Sequence, residues 1–207
     1  MIDTAFLITA FVTMFVVIDP IGLAPLFVAL TQDVPERQRR NIALRACAIG
    51  MAILIAFALF GESILTFIGI SMPAFRVAGG ILLFLTALDM LFERRTKRRV
   101  DQSGEDDYDD PSVFPLAIPL IAGPGAIASV ILLTGQKPGL EGLALVLAIT
   151  ALVLGVCLAL FLASSLLERA LGKTGITVVT RLLGMLLAAL SVQFVLDGLS
   201  DFVSLSG

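Results

Sequence analysis

The sequence predicts an all-α, polytopic membrane protein: six transmembrane helices forming two inverted three-helix repeats, with the first and fourth helices broken. Three observations carry that expectation. Of 207 residues 58% are hydrophobic, and the mean hydropathy is +1.02, well above the roughly 45–50% apolar content of soluble domains. The apolar residues gather into six stretches, near 4–30, 42–68, 74–92, 114–134, 141–167 and 177–199, each close to or above the about 20 residues that span a hydrocarbon core. The second half also repeats the first at a nearly constant offset.

The first stretch opens with MIDTAFLITAF, which has no basic flank and no small-residue cleavage site. It is expected to remain as a span and not to be removed as a signal peptide. Its middle reads Ile18-Asp19-Pro20-Ile21-Gly22-Leu23-Ala24-Pro25. Proline removes a backbone donor and clashes with the preceding turn, and glycine lowers the cost of non-helical angles, so no continuous helix is expected there. The second stretch follows a basic run and contains Cys47 and, near its end, Glu62. The third contains Arg76, the pair Gly79-Gly80, Thr86 and Asp89. Residues 93–113 pass from ERRTKRR into SGEDDYDD, with little apolar content to fold around, and read as a charged cytoplasmic linker between repeats 1–92 and 114–207. The fourth stretch is interrupted by Ile118-Pro119-Leu120-Ile121-Ala122-Gly123-Pro124-Gly125. The fifth holds Cys157 and is followed by Glu168; the sixth holds Arg181, Gly184, Ser191, Gln193 and Asp197.

The repeat is visible in particular pairs. Arg76 and Arg181, Gly79 and Gly184, and Thr86 and Ser191 are all 105 apart; Glu62 and Glu168 are 106 apart; Gly22 and Gly125, and Thr31 and Thr134, are 103 apart. Each unit holds three spans, an odd number, so the second enters the membrane upside down. Basic residues lie in alternate loops: Arg37, Arg39, Arg40 and Arg45, then Arg94, Arg95, Lys97, Arg98 and Arg99, then Arg169, Lys173 and Arg181. Those loops are expected in the cytoplasm and both termini outside, in a cell inner membrane.

Gly/Pro interruptions at matching places in inverted halves point to a transporter's binding site at the bilayer midplane. The candidate substrate-binding residues are Asp19, Pro20, Ile21, Gly22 and Pro25 in the first break, and Ala122, Gly123, Pro124, Gly125 and Ala126 in the second. Half-helices restarting near Ile21 and Ala126 would offer unpaired N–H groups to an anion, and freed carbonyls would hold an ammonium or a cation, a combination that suits a zwitterion. Asp19 is the candidate for coupling to a proton or sodium ion; a structural alternative is that it caps the restarting half-helix. Glu62 with Arg76, and Glu168 with Arg181, are expected to form structural ion pairs between neighbouring spans. The paired glycines are expected to let spans three and six approach the broken helices. The two cysteines read as small hydrophobes inside apolar spans.

Several function classes fall away. The chain has no histidine, which excludes Ser/His/Asp triads and His-ligated zinc sites. There is no phosphate-binding GxxxxGK[ST] loop and no GxGD motif to pair with Asp19 for intramembrane proteolysis. No enzyme activity, cofactor or metal, and no nucleic-acid partner, is expected; the partners are a small solute, a coupling ion and membrane lipid. A channel is the remaining class, distinguished by flux that does not saturate.

DPIGLAP at 19–25, GISMPAFRVAGGILLFL at 69–85, PLAIPLIAGPGAI at 115–127 and TRLLGMLLAALSVQFVLDG at 180–198 resemble, in order and over nearly the whole chain, the MarC family of inner-membrane proteins. The resemblance implies a six-span protein related to the amino-acid exporter superfamily, and ion-coupled secondary transport of small neutral amino acids such as glycine and alanine, or of similar small metabolites. Export of drugs or other small compounds is the alternative. Against it, one tyrosine and no tryptophan leave little from which to build a roomy aromatic pocket.

Overall fold

A computed structural model of the chain describes residues 4–32, 34–92 and 110–206. Among the described residues the regular structure is helical throughout: α1 (Thr4–Ile18), α2 (Pro20–Leu30), α3 (Glu36–Ile68), α4 (Met72–Leu91), α5 (Ser112–Ile121), α6 (Pro124–Gln136), α7 (Leu140–Leu162) and α8 (Ser164–Ser206). Five segments are long and apolar enough to cross a membrane, Thr4–Leu30, α3, α4, α7 and Thr174–Ser204, and α5 with α6 makes a sixth span bent by 53°.

Local sequence explains the ends and interruptions. In the first span only Asp19 leaves the helix, at φ 58, ψ 61, and the ladder closes around it: its N–H donates to the Phe15 carbonyl at 2.9 Å and its carbonyl accepts from Leu23 at 3.0 Å. Pro20, whose fixed φ suits a first helical position, then starts α2. Gly69, at φ 85, ends α3 with the Ile70 N–H reaching back to the Leu65 carbonyl, and the Ser71 hydroxyl caps α4 by accepting from Ala74. In α5 the residues before Pro115 and Pro119 are pushed into extended angles, Phe114 at φ −126, ψ 129 and Ile118 at φ −126, ψ 124. Hydrogen bonds there reach five residues back, from Leu116 to Pro111 and from Ala122 to Ala117, and both X-Pro bonds are cis.

Contacts at the helix ends sort the bundle into two faces. Phe27, near the end of α2, stacks on Phe161, at the end of α7, with centroids 4.6 Å apart, and Arg39, at the start of α3, lies 5.7 Å from the Phe27 ring. Arg45 on α3 pairs at 3.1 Å with Asp110, whose Oδ1 accepts from the Ser112 N–H and hydroxyl at the start of α5. One face therefore gathers the α2–α3 turn, the start of α5 and the end of α7. The opposite face gathers the end of α3 with the α6–α7 turn, where Phe67 and Pro138 line one cleft.

Lipid offers apolar side chains almost as good an environment as a protein core, so close approach between helices carries much of the packing. Glycines supply it. A Cβ on Gly50 would stand 2.5 Å from Ile121 Cγ2, and one on Gly61 2.5 Å from Ile131 Cγ1, so α3 runs parallel to the bent span. Gly79 faces Leu132 and Gly135 faces Met72, so α4 runs antiparallel to α6. Gly80 lies against the Ser191 carbonyl, Gly184 against the Ala87 carbonyl and Gly198 against the Pro73 carbonyl. Each of these α4–α8 pairs sums to 271, an antiparallel register compatible with a two-fold relation between halves.

Several sequence expectations change here. Gly79 does admit the broken span, but Gly80 and Gly184 seat α4 and α8 against each other instead. Arg76 pairs with Asp201 on α8 and not with Glu62, because α4 packs along α8 while Glu62 lies in the cleft beside the α6–α7 turn. The Glu168 side chain, and with it the expected Glu168–Arg181 pair, lies outside the described residues, as does the linker from 93 to 109. The fifth span ends at Leu162, before the expected 167, and Gly172 at φ 62, ψ 176 interrupts α8 ahead of the sixth span. The start of α5 at Ser112 takes in the last residues of the stretch read as linker. Thr86 and Ser191 bond within their own helices, to the Leu82 and Ala188 carbonyls, and Gln193 donates to Asp197 one turn on, so none ties helices together through these bonds.

Candidate functional site: the two helix breaks

The two breaks are built differently. In the first, Asp19 is 1% exposed and its Oδ1 accepts from the Gly22 N–H at 3.0 Å, so the carboxylate caps α2 from within. Gly22 is required by that cap, since a Cβ there would collide with the Asp19 carboxylate. Asp19 tolerates a left-handed backbone because a short polar side chain can bond locally. Pro20 and Pro25 carry no N–H, so the carbonyls of Val16 and Ile21 have no donor four residues on.

In the second break Gly123, at φ −80, ψ 169, precedes α6 and supplies no side-chain cap. Pro124 occupies the first helical position, and the first recorded bond is from the Ile127 N–H to the Gly123 carbonyl at 3.0 Å. The N–H groups of Gly125 and Ala126 thus precede the intrahelical ladder, at the positive end of the α6 dipole. The expectation of two equivalent anion-binding termini is corrected: the α2 terminus is answered by Asp19, and the α6 terminus has no capping side chain. The restarts fall at Pro20 and Pro124, slightly before the expected Ile21 and Ala126, because proline is itself favoured at a helix start.

The fold brings the breaks together. A Cβ on Gly125 would stand 3.1 Å from Val17 Cγ1, 3.6 Å from Leu83 Cδ2 and 3.7 Å from Thr86 Oγ1. Ile18, Asp19, Pro20, Ala122 and Ala126 are buried; Ile21, Gly22, Pro25, Gly123 and Gly125 are half-buried, and Pro124 is exposed. Val17 and Leu83 carry no motif signal and enter only through the packing; Thr86 was visible as a polar residue, without any hint that it adjoins Gly125. A cleft of about 730 Å³ lies between the end of α3 and the α6–α7 turn; Glu62, Thr66 and Thr134 line it and no residue of either break does.

Cys47 on α3 and Cys157 on α7 are free, buried and in hydrogen-bonding contact, a pairing that their positions in the sequence do not reveal. No group of three or more metal-ligating side chains occurs among the described residues.

Six apolar spans, two of them interrupted at touching positions, define a polytopic integral membrane protein. The chain belongs to the MarC family: the model described as MarC family integral membrane protein matches residues 4–203. It is 38% identical over 200 residues to a UPF0056 membrane protein of Methanocaldococcus jannaschii, covering 95% of this chain and 97% of that one. It is 39% identical over 201 residues to a UPF0056 membrane protein of Archaeoglobus fulgidus, covering 95% and 93%. It is 35% identical over 193 residues to the UPF0056 inner membrane protein YhgN of Escherichia coli K12, covering 93% and 95%. No solved structure matches it.

Proposed function

We propose that the protein is a secondary transporter of small neutral amino acids, glycine and alanine being the reference substrates, working by alternating access around the crossed breaks and coupled to a proton or sodium ion. The observation that carries this reading is the contact of Gly125 with Val17, which joins an α6 terminus without a side-chain cap to a break holding a buried carboxylate. A substrate carboxylate is suited to the Gly125 and Ala126 N–H groups, and an ammonium to Asp19 and the proline-freed carbonyls. The small residues at the crossing favour a small solute over a bulky drug. In this reading the protein is not an enzyme, it lies in the cytoplasmic membrane with its basic loops inside, and Asp19 carries both the cap and the coupling charge.

Counterflow of labelled glycine and alanine into proteoliposomes preloaded with unlabelled amino acid tests the reading. Saturable exchange is expected, abolished by Gly125→Leu, whose side chain would fill the crossing. Asp19→Asn is expected to fold, because asparagine tolerates the left-handed angle and its amide oxygen still caps, but to weaken exchange and lose gradient-driven accumulation. Absence of exchange by a folded native protein would remove the amino-acid assignment.

A further inference from the structure

Four buried polar side-chain atoms lack a hydrogen-bond partner among the described residues: Thr13 Oγ1, Ser129 Oγ and, on α4 and α8, Arg76 Nε and Thr180 Oγ1. Thr13 and Ser129 are fully buried, each at 0% exposure. Other helical hydroxyls in this protein donate to a carbonyl of the preceding turn, as Thr86 does to Leu82 and Thr150 to Val146. That local bond is the ordinary way to keep a hydroxyl in a low-dielectric interior. Thr13 and Ser129 forgo it.

The two belong to one seam. Thr13 lies four residues before Val17, on the same face of α1, and Ser129 lies four residues after Gly125, on the same face of α6. Val17 and Gly125 are residues at which the helices touch. α1 runs toward the breaks and α6 away from them, so both hydroxyls sit about 6 Å from that contact, on the side away from the α2–α3 turn. The 103-residue offset that relates Gly22 to Gly125 places Leu116 at the position of Thr13, and Leu26 at that of Ser129. Both leucines are buried, at 0% and 7% exposure. The repeat therefore has two isobutyl groups, on α2 and α5, at the positions equivalent to the two hydroxyls.

We propose that the α1–α6 seam is the half of the solute path that opens on the face away from the basic loops, with Thr13 and Ser129 as its polar lining and Leu26 and Leu116 as their apolar counterparts beyond the breaks. The proposal rests on the alternating-access reading and adds the residues that make its two halves unequal. In the arrangement described neither hydroxyl has a protein partner; when the seam parts, water and the polar groups of the solute supply the missing hydrogen bonds. The leucines gain nothing from water, so their half stays closed more firmly. The seam is thus biased to open on one side by side chains that contact the moving solute.

The test uses single cysteines at Thr13, Ser129, Leu26 and Leu116 in a Cys47→Ala/Cys157→Ala background, in proteoliposomes exposed to a membrane-impermeant methanethiosulfonate on the face of the α6–α7 turn. Thr13→Cys and Ser129→Cys are expected to react, and Leu26→Cys and Leu116→Cys not to. Unreactive Thr13→Cys and Ser129→Cys, while Pro138→Cys in the exposed turn reacts, would overturn the proposal, as would equal reaction of the leucine positions. In the native cysteine background, Thr13→Val and Ser129→Ala are expected to slow exchange about tenfold, the loss of one hydrogen bond to a polar solute, with Thr13→Ser restoring it; unchanged rates would count against the seam. Labelling needs no amino acid: the expected pattern without glycine or alanine exchange leaves the seam standing and sinks the substrate, whereas exchange without labelling sinks the seam.

Discussion

Asp19 shows how one residue can be read two ways from sequence and both ways stay compatible with the structure. Its left-handed backbone, burial and bond to the Gly22 N–H make it a cap, and the same burial keeps a carboxylate at membrane depth. Gly22→Ala tests the cap, since the new methyl would displace the carboxylate from its capping position. Thermal unfolding in detergent is expected to fall by about 1–2 kcal/mol, the usual value of an N-cap. Asp110 is a second residue whose environment sets its charge. The hydrogen bond from the Ser112 hydroxyl holds its carboxyl below the usual carboxylate range against a modest opposing effect of burial, with the Ser112 N–H and Arg45 assisting. Because the folded value is lowered, its contribution is fully present above the ordinary carboxylate range and is lost as pH falls through the lowered value. The stability difference between native protein and Asp110→Asn should therefore vanish only in that acidic range, as read by melting curves across pH.

Among the elements, α4 and α8 form the closest-fitting pair, because glycines let backbone meet backbone. A Cβ on Gly80 would stand 2.8 Å from the Ser191 carbonyl oxygen, and backbone cannot turn aside as a flexible side chain can. Gly80→Val is expected to destabilise the bundle by about 1–3 kcal/mol or more, as overpacking does. Gly155 in α7 has nothing within 4 Å of its missing Cβ, so Gly155→Ala should be neutral or stabilising by up to about 1 kcal/mol. Both are read by melting of the purified protein, and equal destabilisation would refute the close-approach account. The same reasoning explains why the sequence misassigned Arg76: a motif shows that a charge exists inside a span, while the neighbouring helix decides its partner. The α4–α8 register puts Asp201 beside it.

At the scale of the molecule, the arrangement of faces leads to a topology. The basic residues Arg37, Arg39, Arg40 and Arg45 stand at the end where α2 meets α3, and Arg45 pairs with Asp110 there. The N-terminal end of α1 and the α6–α7 turn stand at the other. The positive-inside bias then predicts a cytoplasmic position for the first face. Cysteines introduced at Thr4, Pro138 and Ser204 are expected to react with an impermeant reagent added outside intact cells, and one at Gln38 only after permeabilisation; the reverse pattern would invert the topology.

The sequence by itself determined the number of spans, their helical character and the positions of both interruptions, because these follow from local chemistry. About twenty apolar residues must become a helix in lipid, and Asp19-Pro20 and Gly123-Pro124 break a helix wherever they lie. Repeated spacings showed that the halves are related. What only the tertiary structure decided was which groups meet: Gly125 against Val17, Arg76 with Asp201, and Cys47 with Cys157. Those pairings join residues 108 to 125 positions apart across a bundle whose lateral order no local pattern encodes. A cap by Asp19 was legible as one of two readings, and a glycine at 123 has no side chain to offer one; the structure decided that the Asp19 carboxylate does turn back to the Gly22 N–H.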